Sequence, residues 1–313
     1  MTDALLVAGG LIGLVAGAEL VVRAGSGIAA RLGVPPIIIG LTVVSLGTSV
    51  PELAVGVDAA LSGSPGLAVG NIVGTNLVNI LLILGLSAAL VPIALDRATL
   101  RFDLPAMTGA ALLLVLLSVD GTLSRVDGAV LLLAGIGYTV GLLRTSRRDP
   151  PSDVSPAVPP RSPLVLTLLL VVGLLVTVLG AELLVDGAVA VAQTLGVSDA
   201  VIGLTVVAIG TSAPELATTV LSTVRGDRDI AIGNLLGSSI YNIAAVLAVT
   251  VLVAPHGLPV PRDVLVADLL LLAVVGVATV PVFLTGARIS RLEGGAFLTA
   301  YLAYMAWVAW RRT

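Results

Sequence analysis

The sequence predicts an all-α integral membrane protein with ten transmembrane helices in two inverted five-helix repeats, with broken helices at the midplane. Three observations support this prediction. The 313-residue chain is 57% hydrophobic and 11% charged, with a mean hydropathy of +1.13, which is far too apolar for a soluble domain of this size. Short polar stretches divide the apolar sequence into ten segments, and the second half of the chain repeats the first.

The ten segments are each long enough to cross a bilayer. The second and the seventh are too long for a plain span and each contains a Pro-Glu pair, so bent or two-part helices are predicted there. Residues 1–143 form the first repeat, 144–163 a linker with four arginines and six prolines, and 164–313 the second repeat. The predicted spans are 3–24, 34–62, 67–91, 103–119, 126–143, 164–185, 197–223, 229–253, 264–284 and 292–310.

The internal repeat has a constant register. Adding 163 to a position between 17 and 79 gives its partner, and 29 of these 63 positions are identical, without a gap. Each copy holds five spans, an odd number, so the second copy enters the membrane from the opposite side. The halves are therefore predicted to be inverted.

Arginine, the only basic residue apart from one histidine, predicts the orientation. The loops on one side of the membrane hold 12 arginines and those on the other side hold 4. The positive-inside rule then places the 144–163 linker in the cytoplasm and both termini outside. The first apolar run begins by Ala4 without a basic leader, so it is interpreted as a mature helix and not as a signal peptide.

The composition excludes several kinds of site. There is no cysteine, so disulfides and thiolate metal sites are excluded, and His256 alone cannot build a histidine-rich metal site. An intramembrane hydrolase is unsupported, because no His-Glu-x-x-His motif is present. The net charge of −3 indicates no nucleic-acid partner. The expected partner is the lipid bilayer, no cofactor or enzyme activity is expected, and oligomeric state carries no prediction.

One duplicated motif points to function. Residues 47–52 read Gly-Thr-Ser-Val-Pro-Glu and residues 210–215 read Gly-Thr-Ser-Ala-Pro-Glu. A charge inside the membrane costs about 2.5–3.5 kcal/mol, so Glu52 and Glu215 at matching positions indicate a shared task. Each proline removes a backbone donor and should expose the carbonyl four residues earlier. Carboxylate, hydroxyl and carbonyl oxygens together are the ligands that hard cations prefer.

The hydroxyls of Thr48, Ser49, Thr211 and Ser212 lie three or four residues before the acids, which places them on the same side of the helix. Two polar stripes at a spacing of four accompany them, one in each copy. The alternatives are a structural carboxylate, hydroxyls bonded to their own backbone, and polar contacts between helices. Glu19 and Glu182 are interpreted as structural or gating residues. The stripes are Asn71, Thr75 and Asn79, and Asn234, Ser238 and Asn242.

The paired segments resemble the two alpha-repeats of the cation/calcium exchanger superfamily, in its prokaryotic sodium/calcium exchanger-like branch. The resemblance covers nearly the whole chain, with alpha-repeats at about 40–85 and 203–248. It implies that spans 2, 3, 7 and 8 enclose the ions and that spans 1 and 6 slide across them. It also implies a multi-pass protein of the plasma (inner) membrane of a prokaryote.

The resemblance also implies the ion ligands. Glu52 and Glu215 would bind Ca²⁺ and share in Na⁺ binding, with the carbonyls of Thr48 and Thr211 completing the Ca²⁺ shell. Flanking Na⁺ sites would use four hydroxyls and the carbonyls of Ser45 and Ala208, and Asn79 and Asn242 would line the centre. The four hydroxyls are those of Ser49, Thr75, Ser212 and Ser238. Some family members carry an aspartate at one central position, whereas this chain has asparagine at both.

The function predicted from these residues is secondary active antiport of Ca²⁺ against Na⁺. The principal alternative is Ca²⁺/H⁺ exchange, in which the two glutamates take up protons. The hydroxyl-rich flanks favour Na⁺, since protons need no such ligands. A passive cation channel is the alternative of another class, and the inverted repeat with an enclosed midplane site favours a carrier over it.

Overall fold

The computed structural model describes residues 2–146, 162–196, 208–262 and 264–312, and these are almost entirely helical. Among them, seven helices are long and apolar enough to cross a membrane, or eight if one bent helix pair is counted as a single span. The prediction of an all-α membrane protein is thereby confirmed. The first 11 residues of the predicted seventh span, 197–207, and most of the linker, residues 147–161, lie outside the described residues.

The helices follow the predicted spans closely. Several include π-helical stretches, at Gly40–Val44, Val78–Leu84, Thr99–Asp103 and Asn242–Leu247, and another, Val264–Leu269, precedes α11. The helices are α1 Thr2–Leu32, α2 Pro36–Thr48, α3 Val50–Leu61, α4 Pro65–Leu90, α5 Thr99–Leu117, α6 Arg125–Ser146, α7 Pro163–Thr194, α8 Ala208–Thr211, α9 Ala213–Arg225, α10 Arg228–Val253, α11 Leu270–Leu284 and α12 Arg291–Arg312.

Several boundaries differ from the prediction. Helix α1 continues to Leu32 and α7 to Thr194, well past the predicted ends at 24 and 185. Both helices end close to a glycine in the left-handed conformation, Gly33 (φ 65°) and Gly196 (φ 77°), which stops a helix where hydropathy alone does not. The linker is shorter than predicted, since α6 reaches Ser146 and α7 begins at Pro163.

The equivalent helices α1 and α7 pack against each other through glycines. A Cβ atom added to Gly10 would lie 2.5 Å from the backbone nitrogen of Leu184, and one on Gly180 would lie 2.5 Å from that of Leu14. Farther along, Gly173 faces Val21 in the same way. Contact positions rise in one helix as they fall in the other, so α1 and α7 run antiparallel.

Helices α4 and α10 form the centre of the molecule. Of their most apolar windows 78% is buried, compared with 33% for α1 and for α7. Their side chains dominate the main hydrophobic core, which α1 and α7 do not enter. The polar stripes predicted on these two helices therefore lie in the most enclosed part of the protein.

Two short β-ladders connect the halves of the chain. Strand β1 (Ile93–Ala94) pairs with β4 (Arg288–Ile289), and β2 (Thr122–Leu123) pairs with β3 (Leu258–Pro259), both antiparallel. Strands of two residues have no periodic pattern, so the sequence does not predict them. Each ladder joins a loop of the first repeat to a loop of the second.

Candidate ion-binding site

Both Pro-Glu motifs interrupt a helix in the same way. Ser49 (φ −85°, ψ 8°) separates α2 from α3, and Ser212 (φ −90°, ψ 9°) separates α8 from α9. The α2 and α3 axes meet at 43°. Pro51 and Pro214 occupy the second position of the following helix, where a missing N–H costs little. The prolines thus start new helices, in agreement with the prediction of bent or two-part helices at these positions.

The break places each glutamate in the first turn of a helix, where the helix dipole stabilises negative charge. Glu52 and Glu215 are both 0% exposed. The Ser49 hydroxyl donates to Oε1 of Glu215 at 3.3 Å, so a hydroxyl of the first repeat contacts the carboxylate of the second. The hydroxyls of Thr48 and Ser238 also lie against Glu215. The two motifs meet in one enclosed site.

Most carboxylate oxygens of this site have no partner. Within the described ranges, nothing reaches either side-chain oxygen of Glu52 or Oε2 of Glu215 within hydrogen-bonding distance. Leaving two buried carboxylates uncompensated is very unfavourable. A bound cation would supply the missing charge and the missing contacts.

The remaining predicted ligands are neutral and mostly buried. Thr211 is partly buried, and Ala208 is the first described residue of α8. The part of the chain that the structure describes has no cluster of three or more His, Cys, Asp or Glu side chains. Two carboxylates among neutral oxygens suit hard cations such as Na⁺ or Ca²⁺ and lack the nitrogen and sulfur ligands that softer transition metals prefer. The ligands at most 3% exposed are Ser45, Thr48, Ser49, Thr75, Asn79, Ser212, Ser238 and Asn242.

The Ser45 carbonyl joins the two repeats. It accepts from the Thr48 hydroxyl at 3.2 Å and from the Ser238 hydroxyl at 3.5 Å. Close packing makes this contact possible, since a Cβ atom on Gly237 would lie 2.6 Å from the Leu41 carbonyl oxygen. An oxygen that two hydroxyls approach from different helices is well placed to face the site.

Asn79 and Asn242 lie in matching π-helical stretches of α4 and α10. Both are 0% exposed, and the amide oxygen and nitrogen of each have no partner among the described residues. Single π-helical turns inside α-helices are frequent at functional sites. The sequence indicates the asparagines by their spacing but does not indicate the π-helical backbone that carries them.

Asn71 and Asn234 make structural contacts. Asn71 donates to the Glu52 carbonyl at 3.3 Å. Asn234 accepts from Thr48 at 3.3 Å and donates to Thr219 at 3.0 Å. The duplication does not indicate Thr219, because the first repeat has Gly56 at the matching position. The position of its hydroxyl one helical turn beyond Glu215 is the sequence feature that indicates Thr219.

The remaining polar candidates lie away from the site. Glu19 pairs with Arg23 of its own helix and with Arg225 at the end of α9. Its counterpart Glu182 is exposed, as is His256. Glu19 thus connects α1 to α9 through Arg225. Glu182 cannot form the equivalent ion pair, since the position that matches Arg225 in the first repeat is a serine.

Comparison with known proteins gives consistent matches along the chain. The family described as sodium/calcium exchanger protein matches residues 2–144 and 165–310. Inner membrane protein YrbG of Escherichia coli is 38% identical over 264 residues, 82% of this chain and 81% of that protein. Sodium/calcium exchanger MaX1 of Methanosarcina acetivorans is 31% identical over 339 aligned positions, 95% of each protein. A solved structure of the sodium-calcium exchanger NCX_Mj superposes with a TM-score of 0.84, 32% identity and 98% coverage of both chains.

Proposed function

The chain belongs to the sodium/calcium exchanger family, and we propose that it is a secondary active antiporter that exchanges Ca²⁺ for Na⁺ by alternating access. One observation carries this proposal. Two fully buried glutamates from the two repeats converge, and three of their carboxylate oxygens have no partner in the part of the chain that the structure describes. A site of this kind is electrostatically incomplete until it holds cations.

The proposed coupling follows from the charge of the site. Two ionised carboxylates give a charge of −2, which one Ca²⁺ neutralises. Three Na⁺ ions would leave +1 and make the exchange electrogenic. Both ions use the same oxygens, so they compete. An empty site would have to carry two bare charges through the apolar core during the access switch, and only a loaded site avoids that cost.

We assign the ligands by matching each motif position to its role. Glu52 and Glu215, with the carbonyls of Thr48 and Thr211, would hold Ca²⁺. The carbonyls of Ser45 and Ala208 would serve the flanking Na⁺ sites, with Asn79 and Asn242 lining the centre. The hydroxyls of those Na⁺ sites belong to Ser49, Thr75, Ser212 and Ser238. The hydroxyls of Ser49 and Ser238, like that of Thr48, contact residues of the other repeat. Ser212 lies at the second helix break.

Alternating access requires an element that uncovers the enclosed ligands. The pair of α1 and α7 is the best candidate, because only 33% of the apolar window of each helix is buried and the two helices pack closely on each other through glycines. The antiparallel course of α1 and α7 supports the proposal of ten helices in two inverted repeats. The proposed location of the protein is the plasma membrane of a prokaryote, with the 144–163 linker cytoplasmic and both termini outside.

The competing function is Ca²⁺/H⁺ exchange. Protons on the two glutamates would also remove the buried charge, and proton-coupled exchange needs none of the hydroxyls around them. The hydroxyl of Ser49 on Glu215 and the unpartnered hydroxyl of Ser212 favour Na⁺ as the counter-ion.

The test is Ca²⁺ uptake into proteoliposomes under an imposed Na⁺ or H⁺ gradient. We expect an outward Na⁺ gradient to drive Ca²⁺ above equilibrium and a pH gradient alone to drive little. Full flux with a pH gradient and no response to Na⁺ would establish Ca²⁺/H⁺ exchange instead. Downhill Ca²⁺ equilibration without a counter-ion gradient would indicate a channel.

A further inference from the structure

Helix α9, which follows the second break, carries buried hydroxyls that its counterpart lacks. Beyond Glu215 it holds four hydroxyl side chains, each at most 1% exposed: Thr218, Thr219, Ser222 and Thr223. The matching positions of α3 are Val55, Gly56, Ala59 and Ala60. Since both helices share the ion-site motif, the motif itself does not require these hydroxyls.

The hydroxyls extend the face of α9 that holds the ion site. From Glu215 they follow at intervals of three or four residues, the spacing that keeps side chains on one side of a helix. At about 1.5 Å of rise per residue, the row from Glu215 to Thr223 covers about 12 Å. It leads from the enclosed site to the end of α9 that carries Arg225.

Packing accounts for only part of this row. Ser222 and Thr223 donate to the carbonyls of Thr218 and Thr219, at 2.6 and 2.8 Å, as buried hydroxyls in helices often do. The Thr218 hydroxyl is 0% exposed and has no partner among the described residues. The same holds for the hydroxyl of Ser212 and for Oε2 of Glu215. Three successive unpartnered oxygens on one face point to an absent ligand.

The row ends beside charged groups. Arg225 pairs with Glu19 of α1, whose second carboxylate oxygen is buried without a partner in the described residues. Asp227 follows two residues later and is partly buried. Arg23 also pairs with Glu19, so acidic and basic groups balance at this end of the row.

We propose that this face of α9 is the route by which cations pass between the enclosed site and the Arg225 end of the molecule, with the Thr218 hydroxyl as a Na⁺ ligand next to Glu215. This inference rests on the proposed antiport. Na⁺ is the expected occupant because affinity for Ca²⁺ depends on ligand charge, and the row beyond Glu215 is neutral. The first repeat has no such row, so the two access routes differ in chemistry.

The test compares Thr218→Val, which removes the hydroxyl at nearly constant volume, with Thr218→Ser, which keeps it. Ca²⁺ exchange is measured while Na⁺ is varied on each face of oriented membrane vesicles. Thr218→Val should raise the half-maximal Na⁺ concentration about fivefold on one face only, the effect of losing one neutral oxygen contact. Equilibrium Ca²⁺ binding to the purified protein should stay unchanged, and Thr218→Ser should behave as the wild type.

The matched control is Thr279→Val, because Thr279 is a buried residue of α11 whose hydroxyl donates to the Gly276 carbonyl of its own helix. If the wild type exchanges Ca²⁺ for Na⁺ but Thr218→Val leaves the Na⁺ response unaltered on both faces, the proposed route is wrong and the antiport proposal stands. A wild type without Na⁺-dependent exchange overturns the antiport proposal instead.

A second measurement does not depend on transport. The chain has no cysteine, so Thr218→Cys introduces a single thiol. A cationic methanethiosulfonate reagent should modify it from one face, and Na⁺ should slow the modification. If a Thr218→Cys protein that binds Ca²⁺ resists the reagent under every ion condition, Thr218 does not line a route.

Discussion

At the scale of single residues, the two glutamates determine which ligand the protein needs. Each lies in the first turn of a helix, where the dipole stabilises a carboxylate by at most about 2 kcal/mol. A charge in the membrane interior costs about 2.5–3.5 kcal/mol or more. Most oxygens of Glu52 and Glu215 lack partners within the described residues, and under the proposed function the difference comes from bound cations.

Glu52→Gln and Glu215→Gln should each abolish Ca²⁺ transport and weaken Ca²⁺ binding on the order of 100-fold, because Ca²⁺ affinity depends on ligand charge. Thermal stability without Ca²⁺ should not fall, since a neutral amide is less costly to bury than an unpaired carboxylate. Stabilisation by added Ca²⁺ should disappear. The measurements are flux and thermal unfolding in detergent.

The control for these variants is Glu182→Gln, which neutralises an exposed acid away from the site and should leave transport intact. Near-normal Ca²⁺ uptake by either glutamine variant would contradict the proposed site.

The central asparagines separate a ligand role from a packing role. Both polar atoms of Asn242 are buried without partners in the described residues, so Asn242→Leu removes a desolvation cost and should keep or raise stability. Ca²⁺ transport should nevertheless be lost, because a polar lining group disappears. Unfolding temperature and Ca²⁺ flux, measured on the same preparation, test the expected stability and the expected loss of transport. Wild-type flux in Asn242→Leu would show that Asn242 only fills space.

At the scale of elements, the α1–α7 pair combines close backbone contact with unusual length. Helix α1 has 31 residues and spans about 46 Å, half as long again as the roughly 30 Å hydrocarbon core. Glycine contacts allow the two backbones to approach as in other membrane helix pairs. Under the proposed alternating access, this long, self-packed pair would move as one body.

Neighbouring glycines of α1 offer a matched test of that contact. A Cβ atom on Gly10 would lie 2.5 Å from the Leu184 backbone nitrogen, whereas one on Gly9 would meet no described atom within 4 Å. Gly10→Ala should therefore lower stability by about 1–3 kcal/mol and impair transport. Gly9→Ala should be neutral or slightly stabilising, as alanine favours helix by about 1 kcal/mol over glycine. Unfolding temperature and flux distinguish them; equal behaviour would argue against tight α1–α7 packing.

At the scale of the whole molecule, matching contacts recur at the periphery of both halves. Asp103 accepts from Tyr138 at 2.9 Å, and Asp268 accepts from Tyr304 at 3.1 Å. These pairs join α5 to α6, and the stretch before α11 to α12. Their register has shifted by a few residues from that of positions 17–79. The duplication thus extends beyond the segment in which sequence identity reveals it.

The predicted orientation can be tested with single cysteines in the naturally cysteine-free chain. Ser155→Cys, in the linker, should react with an impermeant maleimide only after cells are permeabilised. Thr2→Cys should react in intact cells, because the arginine distribution places the termini outside. The reverse labelling pattern would invert the topology and the side to which the Arg225 end of α9 belongs.

The sequence by itself determined the membrane class, most span boundaries, the repeat and the two glutamate motifs. Hydropathy is summed over neighbouring residues, and a duplication is visible at constant register, so neither depends on long-range packing. The same local information could not predict where α1 and α7 end, because a left-handed glycine and not hydropathy stops each helix. It also missed the β-ladders, since two-residue strands carry no pattern.

Only the tertiary structure decided how the candidate ligands meet. It showed that Ser49 reaches Glu215 of the other repeat, and that Ser45 accepts hydroxyls from both repeats. It also revealed the unpartnered Thr218 hydroxyl, for which the first repeat has no counterpart. The contacts of Ser49 with Glu215 and of Ser238 with Ser45 join residues more than 160 positions apart, and α2 and α10 cross closely at their glycines. Spacing along one helix specifies which side chains share a face, whereas the packing of distant helices specifies what that face meets.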